Sequence, residues 1–431
     1  MAGQDKVANL YGNGWRILVL LTSLMVTCTT AAQSAQLANP AYDTAGMFDA
    51  AVMLEPRLLK GKHFTLESKV RNDGLFNHYL IHSSFGDFRA ISGTSLKIRL
   101  LEIEAIAAMR EVDTSGAALD GLKQSGGKAL TGAKNLLTHP IKTIEGAAQG
   151  AGDIYNRTTG TVRRNLGDTE DGALAQLIGY SKLKGAIASR YGINVYSRNL
   201  VLQQELDRLA QAGFLGGLGL GLASSFVPGV SGLMLSTSSA ARVLNDTIND
   251  TPASEIWLQN KSRLNAMKLG LHNDQLELFL NNAIFSPALQ TVMVAALEAL
   301  EGVENRLLLV ELSARVRDVH RANTLTQITV MAARYHKNIA SLGAFVPMAK
   351  LVSLVAVDGE MVILLPADYV LWTEKFNGVA STLSARARLA TGGAPALWVL
   401  GRVSPRTRAE LHKRKWKVRA QAGPLLRIKK H

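Results

Sequence analysis

Three imidazoles near the N-terminal third have the spacing that invites a metal. His78 and His82 lie four residues apart and so share a face in either a strand or a helix. With His63 they make a set of three nitrogen ligands of the kind zinc accepts. Asp73 and Asp87 flank the segment, but neither has matching ligand spacing, and lone histidines on a sheet face are the commoner outcome. A second group, Asp368, Tyr369 and Trp372 with Thr373, follows a hairpin and precedes a helix. Aromatic and polar residues at a strand–helix junction either line a pocket or pack the junction.

Other chemistry fails on spacing. Gly121 and Gly126 have the interval of a phosphate loop, but Gly127 stands where Lys belongs, and Lys128 is followed by Ala129. Gly217, Gly219 and Gly221 sit in an apolar run with no strand before them and no placed acid after, so a dinucleotide fingerprint is absent. Ser231 lies in Gly229-Val230-Ser231-Gly232, one residue short of a nucleophile elbow. The acids Glu298, Glu301, Glu304, Glu311 and Asp318 are spread over a helical stretch and read as solvated faces. The sequence names no reaction and no cofactor, and leans away from an enzyme.

Charge is more informative. The 431 residues carry a net +14, and residues 402–430 hold eleven Lys and Arg against one acid, Glu410. Ten of the fourteen charges therefore sit near one end. Arg406, Arg408, Lys413, Arg414, Lys415 and Lys417 are the candidate contacts to a polyanion, which such a patch binds by releasing counterions. The other reading is a solvated basic face with no ligand.

Residues 17–26, ILVLLTSLMV, are an uncharged run behind Lys6 and Arg16, followed by small and polar residues. That is the pattern of a secretory signal, with a cut after Ala32 or Ser34; an uncleaved anchor is the alternative. A cut there removes Cys28, the one cysteine, which suits an oxidising compartment. Export makes nucleic acid a poor partner. Anionic lipid or another envelope polyanion, with a protein partner also open, fits better.

Residues 117–157 are rich in Gly and Ala. Leu119, Leu122, Gly126, Leu130, Ala133, Leu137, Ile141, Ile144, Ala148, Gly152 and Tyr155 follow steps of three and four that repeat every eleven residues. Eleven residues make three helical turns plus about 20°, so the stripe stays on one face. Leu119, Leu122, Leu130, Leu137, Ile141 and Ile144 are the candidate lipid contacts, opposite a face of Lys and Thr. Within it Lys142-Thr143-Ile144-Glu145-Gly146-Ala147 resembles the lysine–threonine–glutamate–glycine repeat of the synucleins and related lipid-droplet coats. The resemblance covers one unit and implies a helix lying flat on lipid. A helix pair on the protein's own core and a partly disordered linker remain open. Residues 209–241 hold no charge, and either insert in a membrane or form a buried hairpin split at Pro228-Gly229.

The elements that must position these residues follow from periodicity. Asn72-Asp73-Gly74 predicts a hairpin within a small antiparallel sheet over 58–92, followed by a helix over 95–112. Ser286-Pro287 starts one helix, residues 306–321 form the next, and Asn323 caps a third. Asp358-Gly359 turns a second hairpin. Residues 369–388 are helical, and a strand–helix–strand unit follows, its helix opened by Ser404-Pro405. The expected class is mainly α with small β parts (α+β). It comprises a signal peptide over 1–32, a small sheet plus helix over 33–113, and repeat helices over 114–167. Helices with the Gly-rich apolar segment follow over 168–252, an antiparallel bundle over 253–345, and a basic α+β module over 346–431. Two functions follow: an exported, non-enzymatic envelope protein held on a membrane, or a soluble periplasmic enzyme or binding protein with a site between bundle and module.

Overall fold

Asn72-Asp73-Gly74 turns the chain by side-chain chemistry. The Asp73 carboxylate accepts the N–H groups of Leu75 (3.0 Å) and Phe76 (2.9 Å), Asn72 Oδ1 accepts that of Gly74 (2.7 Å), and Gly74 takes φ +107°, which glycine adopts without strain. The computed structural model describes residues 41–112, 180–215, 248–249, 251–348 and 351–426. In it this turn joins β3 (Lys69–Asn72) to β4 (Asn77–Ser83). β4 pairs antiparallel with β5 (Gly86–Ile91) on one edge, and with β3 and β2 (Phe64–Leu66) on the other. β1 (Met47–Asp49) pairs with β3. Alternation along β4 sends Tyr79 and Ile81 into the core and leaves His82 exposed.

Ser92 ends this sheet and caps α1 (Gly93–Arg110), its side chain accepting the Ser95 N–H. α1 buries Leu96, Leu100, Ile103, Ile106 and Met109 against Tyr79 and Ile81 of the sheet and Leu202 and Leu206 of α2 (Leu200–Leu215). Each such side chain contributes about 1.5–3 kcal/mol. Residues 180–190 are also helical and supply Ile187 and Ala188 to this cluster. Glu102, buried in α1, is not left bare: Arg99, Asn199 and Ser197 all donate to it.

The second core is built by α3 (Ala253–Ala266), α4 (Asn273–Leu280), α5 (Pro287–Glu298), α6 (Leu307–Ala314) and α7 (Val319–Asn338) against a five-stranded sheet. Ser286 caps α5 as its sequence implies, accepting the Leu289 N–H at 3.3 Å. The helix expected over 306–321 divides. Asp318 is extended and its carboxylate accepts the Arg321 N–H at 2.8 Å, so it caps α7 where Asn323 was expected to.

The sheet runs β12–β10–β8–β7–β6. β6 (Leu342–Met348), β7 (Leu351–Ala356) and β8 (Met361–Leu365) are antiparallel neighbours, whereas β8, β10 (Ala396–Val399) and β12 (Lys417–Arg419) are parallel. Past β8 and β10 the chain continues into a short parallel pair, β9 (Tyr369–Val370) and β11 (Arg402–Val403). Parallel neighbours need crossovers, and α8 (Glu374–Thr391) and α9 (Pro405–Lys413) provide them.

Val362, Leu364, Ala396 and Trp398 share one cluster with Phe279, Met293, Leu297, Leu309 and Tyr335 of the helices. The rings of Tyr335 and Trp398 meet edge to face at 5.2 Å. One core thus serves helices and sheet, and the boundary placed at 345 falls inside β6. The alternate positions Leu397 and Val399 are also buried, as are Ala380, Leu383 and Ala387 of α8 and Leu411 of α9. Trp416 Nε1 donates to Ser384 Oγ at 2.8 Å and ties the start of β12 to α8. The class is mixed α+β. The 1–32 leader and the eleven-residue repeats, with Leu119, Leu122, Leu130, Leu137, Ile141 and Ile144, lie outside the described residues, as does the 209–241 run beyond Leu215.

Candidate functional site

The cationic candidates are placed by α9 and its exit. Ser404 Oγ accepts the Thr407 N–H at 2.9 Å, and Thr407 Oγ1 donates to the Val370 carbonyl at 3.1 Å, which fixes the start of α9 against β9. Thr407 and Leu411 face inward. The neighbouring stripe, Arg408 and His412 at i and i+4, faces solvent together with Lys413. Lys415 follows at φ +65°, and β12 then alternates Lys417 out, Val418 in, Arg419 out.

These cations are not equivalent. Arg414 turns back on the module: its guanidinium lies 4.7 Å from the Trp372 ring centroid and donates to Asn377 Oδ1 at 2.5 Å and Ser381 Oγ at 3.3 Å. Lys413 pairs with Glu410 at 2.6 Å. Lys417 pairs with Glu360 at 2.5 Å, and that hydrogen bond and charge push its ammonium pKa up. Arg406 has a partner of its own. Arg408, Lys415 and Arg419 are exposed and carry no side-chain partner among the described residues. Of the six residues expected to touch a polyanion, Arg408 and Lys415 are therefore the available ones, and Arg419 joins them. Lysine and arginine on the edge strand β12 also discourage pairing with another chain.

Asp368, Tyr369 and Trp372 form a seam. Asp368 Oδ1 accepts the Gly93 N–H at 2.8 Å and Oδ2 accepts that of Asn77 at 2.9 Å. The N–H groups of Asp368 and Tyr369 both donate to the Leu75 carbonyl (3.0 and 3.2 Å), and that of Leu371 donates to Gly74 O at 2.9 Å. Asn72 Nδ2 reaches the Tyr369 carbonyl at 3.3 Å, and the Tyr369 ring stands edge-on to Phe48 at 5.7 Å. Trp372 is covered by Arg414 and packs on Phe376 at 5.8 Å. Gly401 completes the seam, because a Cβ there would lie 2.0 Å from the Asp368 carbonyl oxygen. Burial pushes the Asp368 carboxyl pKa up, the two N–H donors offset part of this, and the Asp73 charge adds to the rise. The carboxylate holds the β3–β4 turn over the far ends of β8 and β10.

The three histidines are not brought together. His78 Nδ1 receives a hydrogen bond from Arg71 at 3.1 Å. Arginine only donates, so Nε2 carries the proton and donates to Asp73 Oδ2 at 2.9 Å. His82 Nδ1 bonds Asp87 at 2.9 Å, and His63 stacks on Phe85 at 5.9 Å. Four residues of strand separate His78 from His82 by about 13 Å, too far for one ion. No group of three or more His, Cys, Asp and Glu able to hold a metal occurs among the described residues.

The structure adds a histidine that sequence spacing could not supply. His320, in the first turn of α7, meets Phe76 edge to face at 4.4 Å, beside Asp73 and His78. Burial pushes its pKa below the usual value, against the pull of Asp318 and Asp73. For Asp73, burial pushes upward, but the hydrogen bonds from His78 and from the N–H groups of Phe76 and Leu75 outweigh it and hold the carboxyl below its usual value. Elsewhere, an open depression of about 660 Å³ is lined by Asp274, Glu277, Leu278, Asn281, Ala314 and Arg317, with Asp274 and Leu278 exposed to solvent.

No protein-family model, no curated protein and no solved structure matches the chain. Among the described residues, no helix is long and apolar enough to cross a membrane.

Proposed function

We propose that this chain is an exported, non-enzymatic protein of a bacterial cell envelope, held on an anionic lipid surface by the basic edge of its C-terminal module. The observation that carries the reading is the exposed, unpartnered set Arg408, Lys415 and Arg419, within a segment that holds ten of the fourteen net charges. Each Lys or Arg near an anionic leaflet contributes about 1 kcal/mol, so three of them contribute about a hundredfold in partition. The uncharged run over 17–26 behind Lys6 and Arg16 supports export, and the eleven-residue repeat over 117–157 supports a second lipid contact. Against a ligand site at Asp368 stands the use of both its oxygens by Asn77 and Gly93.

The test is fractionation of cells expressing the full chain, with membranes washed first in high salt and then in alkali. Release by salt is expected if the basic edge makes the attachment. Retention through alkali would shift the attachment to an inserted segment. Recovery wholly in the soluble fraction would end the membrane reading.

A further inference from the structure

The end of the C-terminal sheet opposite the seam carries a feature that charge counting alone does not reveal. β8, β10 and β12 are parallel, so α8 and α9 run back along them and bring their C-termini to the strands' starting ends. There α8 closes at Gly392, which takes φ +70°, and the chain passes through Leu389-Ala390-Thr391-Gly392-Gly393-Ala394-Pro395 into β10 without a charge. Leu389 is 88% exposed at the front of this tip. The register places Ala396 beside both Val362 and Lys417, and the Lys417 N–H donates to the Pro395 carbonyl at 3.2 Å. Lys417 therefore flanks the tip directly. Val357, 73% exposed in the β7–β8 turn, belongs to the same end.

The charges around this end complement an anionic surface. Arg388, Lys413, Lys415 and Lys417 belong to it, with Asp358, Glu360 and Glu410. Lys417 neutralises Glu360 and Lys413 neutralises Glu410. Asp358 remains, its Oδ1 accepting the Glu360 N–H at 3.1 Å. Arg388 and Lys415 against the one remaining acid leave the balance positive. An exposed leucine on an uncharged, glycine-containing tip, rimmed by cations, has the two components of interfacial binding: apolar insertion and headgroup attraction.

Resting on the envelope reading above, we infer that this end is the face presented to the membrane, with Leu389 entering the headgroup–acyl boundary of an anionic bilayer. The test uses the full chain carrying Cys28→Ser, with Leu389→Cys labelled by an environment-sensitive fluorophore. Leu200→Cys, 76% exposed on α2, is the control. With phosphatidylglycerol vesicles, at least a threefold rise in emission with a blue shift is expected at position 389 and none at 200. Phosphatidylcholine vesicles should give neither. Leu389→Asp should weaken sedimentation with phosphatidylglycerol vesicles at least tenfold while leaving the melting temperature unchanged. If the chain binds these vesicles but the label at 389 is silent and Leu389→Asp binds like the parent, this face is wrong and the envelope reading stands. If the chain binds no anionic vesicle, both fall. An equal response to phosphatidylcholine would overturn the role of charge.

Discussion

The two ends of the C-terminal sheet are opposites. At the carboxyl ends of β8 and β10, where open α/β sheets commonly take a ligand, the chain has inserted its own β3–β4 turn. Five backbone N–H groups and the Asp368 carboxylate stitch that end shut. At the starting ends nothing comparable among the described residues covers Leu389 or Val357, and Lys417 flanks the Leu389 tip. The sealed end uses directional hydrogen bonds between segments nearly three hundred residues apart, whereas the open end displays charge and two apolar side chains. The first arrangement builds a fold; the second suits a surface.

The comparison breaks first at Asp368. Asp368→Ala strands the buried N–H groups of Asn77 and Gly93, at about 1–3 kcal/mol each, and should lower the urea midpoint by more than any other change described here. Asp368→Asn, which keeps an oxygen acceptor, should recover part of it. An unchanged midpoint for the alanine variant would mean that the seam is not a structural joint.

The exposed cations of the module, Lys415 toward the open end and Arg408 and Arg419 nearer the seam, should respond in the opposite manner. The triple variant R408E, K415E and R419E should weaken binding to phosphatidylglycerol vesicles by about a hundredfold or more, and raised salt should erase the difference. Its melting temperature should hold, since none of the three has a side-chain partner among the described residues. A fall in stability with intact vesicle binding would give these cations a structural role in place of the surface role assigned to them.

A smaller effect sharpens the seam. His320 has a lowered pKa, so its neutral form is favoured in the fold, and stability should decline as pH falls below its ordinary value of 6.5. Asp73, also lowered, contributes above its ordinary 3.8 and should lose that contribution below it. Asp368, raised, works in the other sense and is relieved as pH falls. His320→Phe keeps a ring against Phe76 and should flatten the upper limb of the melting temperature against pH, leaving the lower limb in place. A limb that survives in this variant belongs to another group. Last, His82→Ala should change stability by less than about 0.5 kcal/mol, because the ring is exposed and bonds only an exposed Asp87.

What could be read locally was legible. Asn72-Asp73-Gly74 and Asp358-Gly359 turned hairpins, Ser286-Pro287 and Ser404-Pro405 opened helices, and Lys417 and Arg419 of the cationic stretch emerged on the edge strand. β6 was missed because its apolar run follows α7 with little punctuation and its partners are β7 and the Glu304 backbone. The division between α6 and α7 was missed because residues 306–321 keep their apolar content through the break, and only Asp318's side chain marks it.

By itself the sequence determined the Asn72-Asp73-Gly74 and Asp358-Gly359 turns, the Ser286 and Ser404 caps, and the crowding of positive charge near one end. Each depends on atoms within a few residues of one another, so composition and spacing suffice. Tertiary structure alone decided that Asp368 grips Asn77 and Gly93, that His320 meets Phe76 and Asp73, and that Arg414 is taken by Trp372 while Arg408 and Lys415 stay available. Those outcomes depend on which distant surfaces meet. A carboxylate, an imidazole or a guanidinium has the same local signature whether it joins two halves of a core or faces solvent; its neighbours after folding set its role.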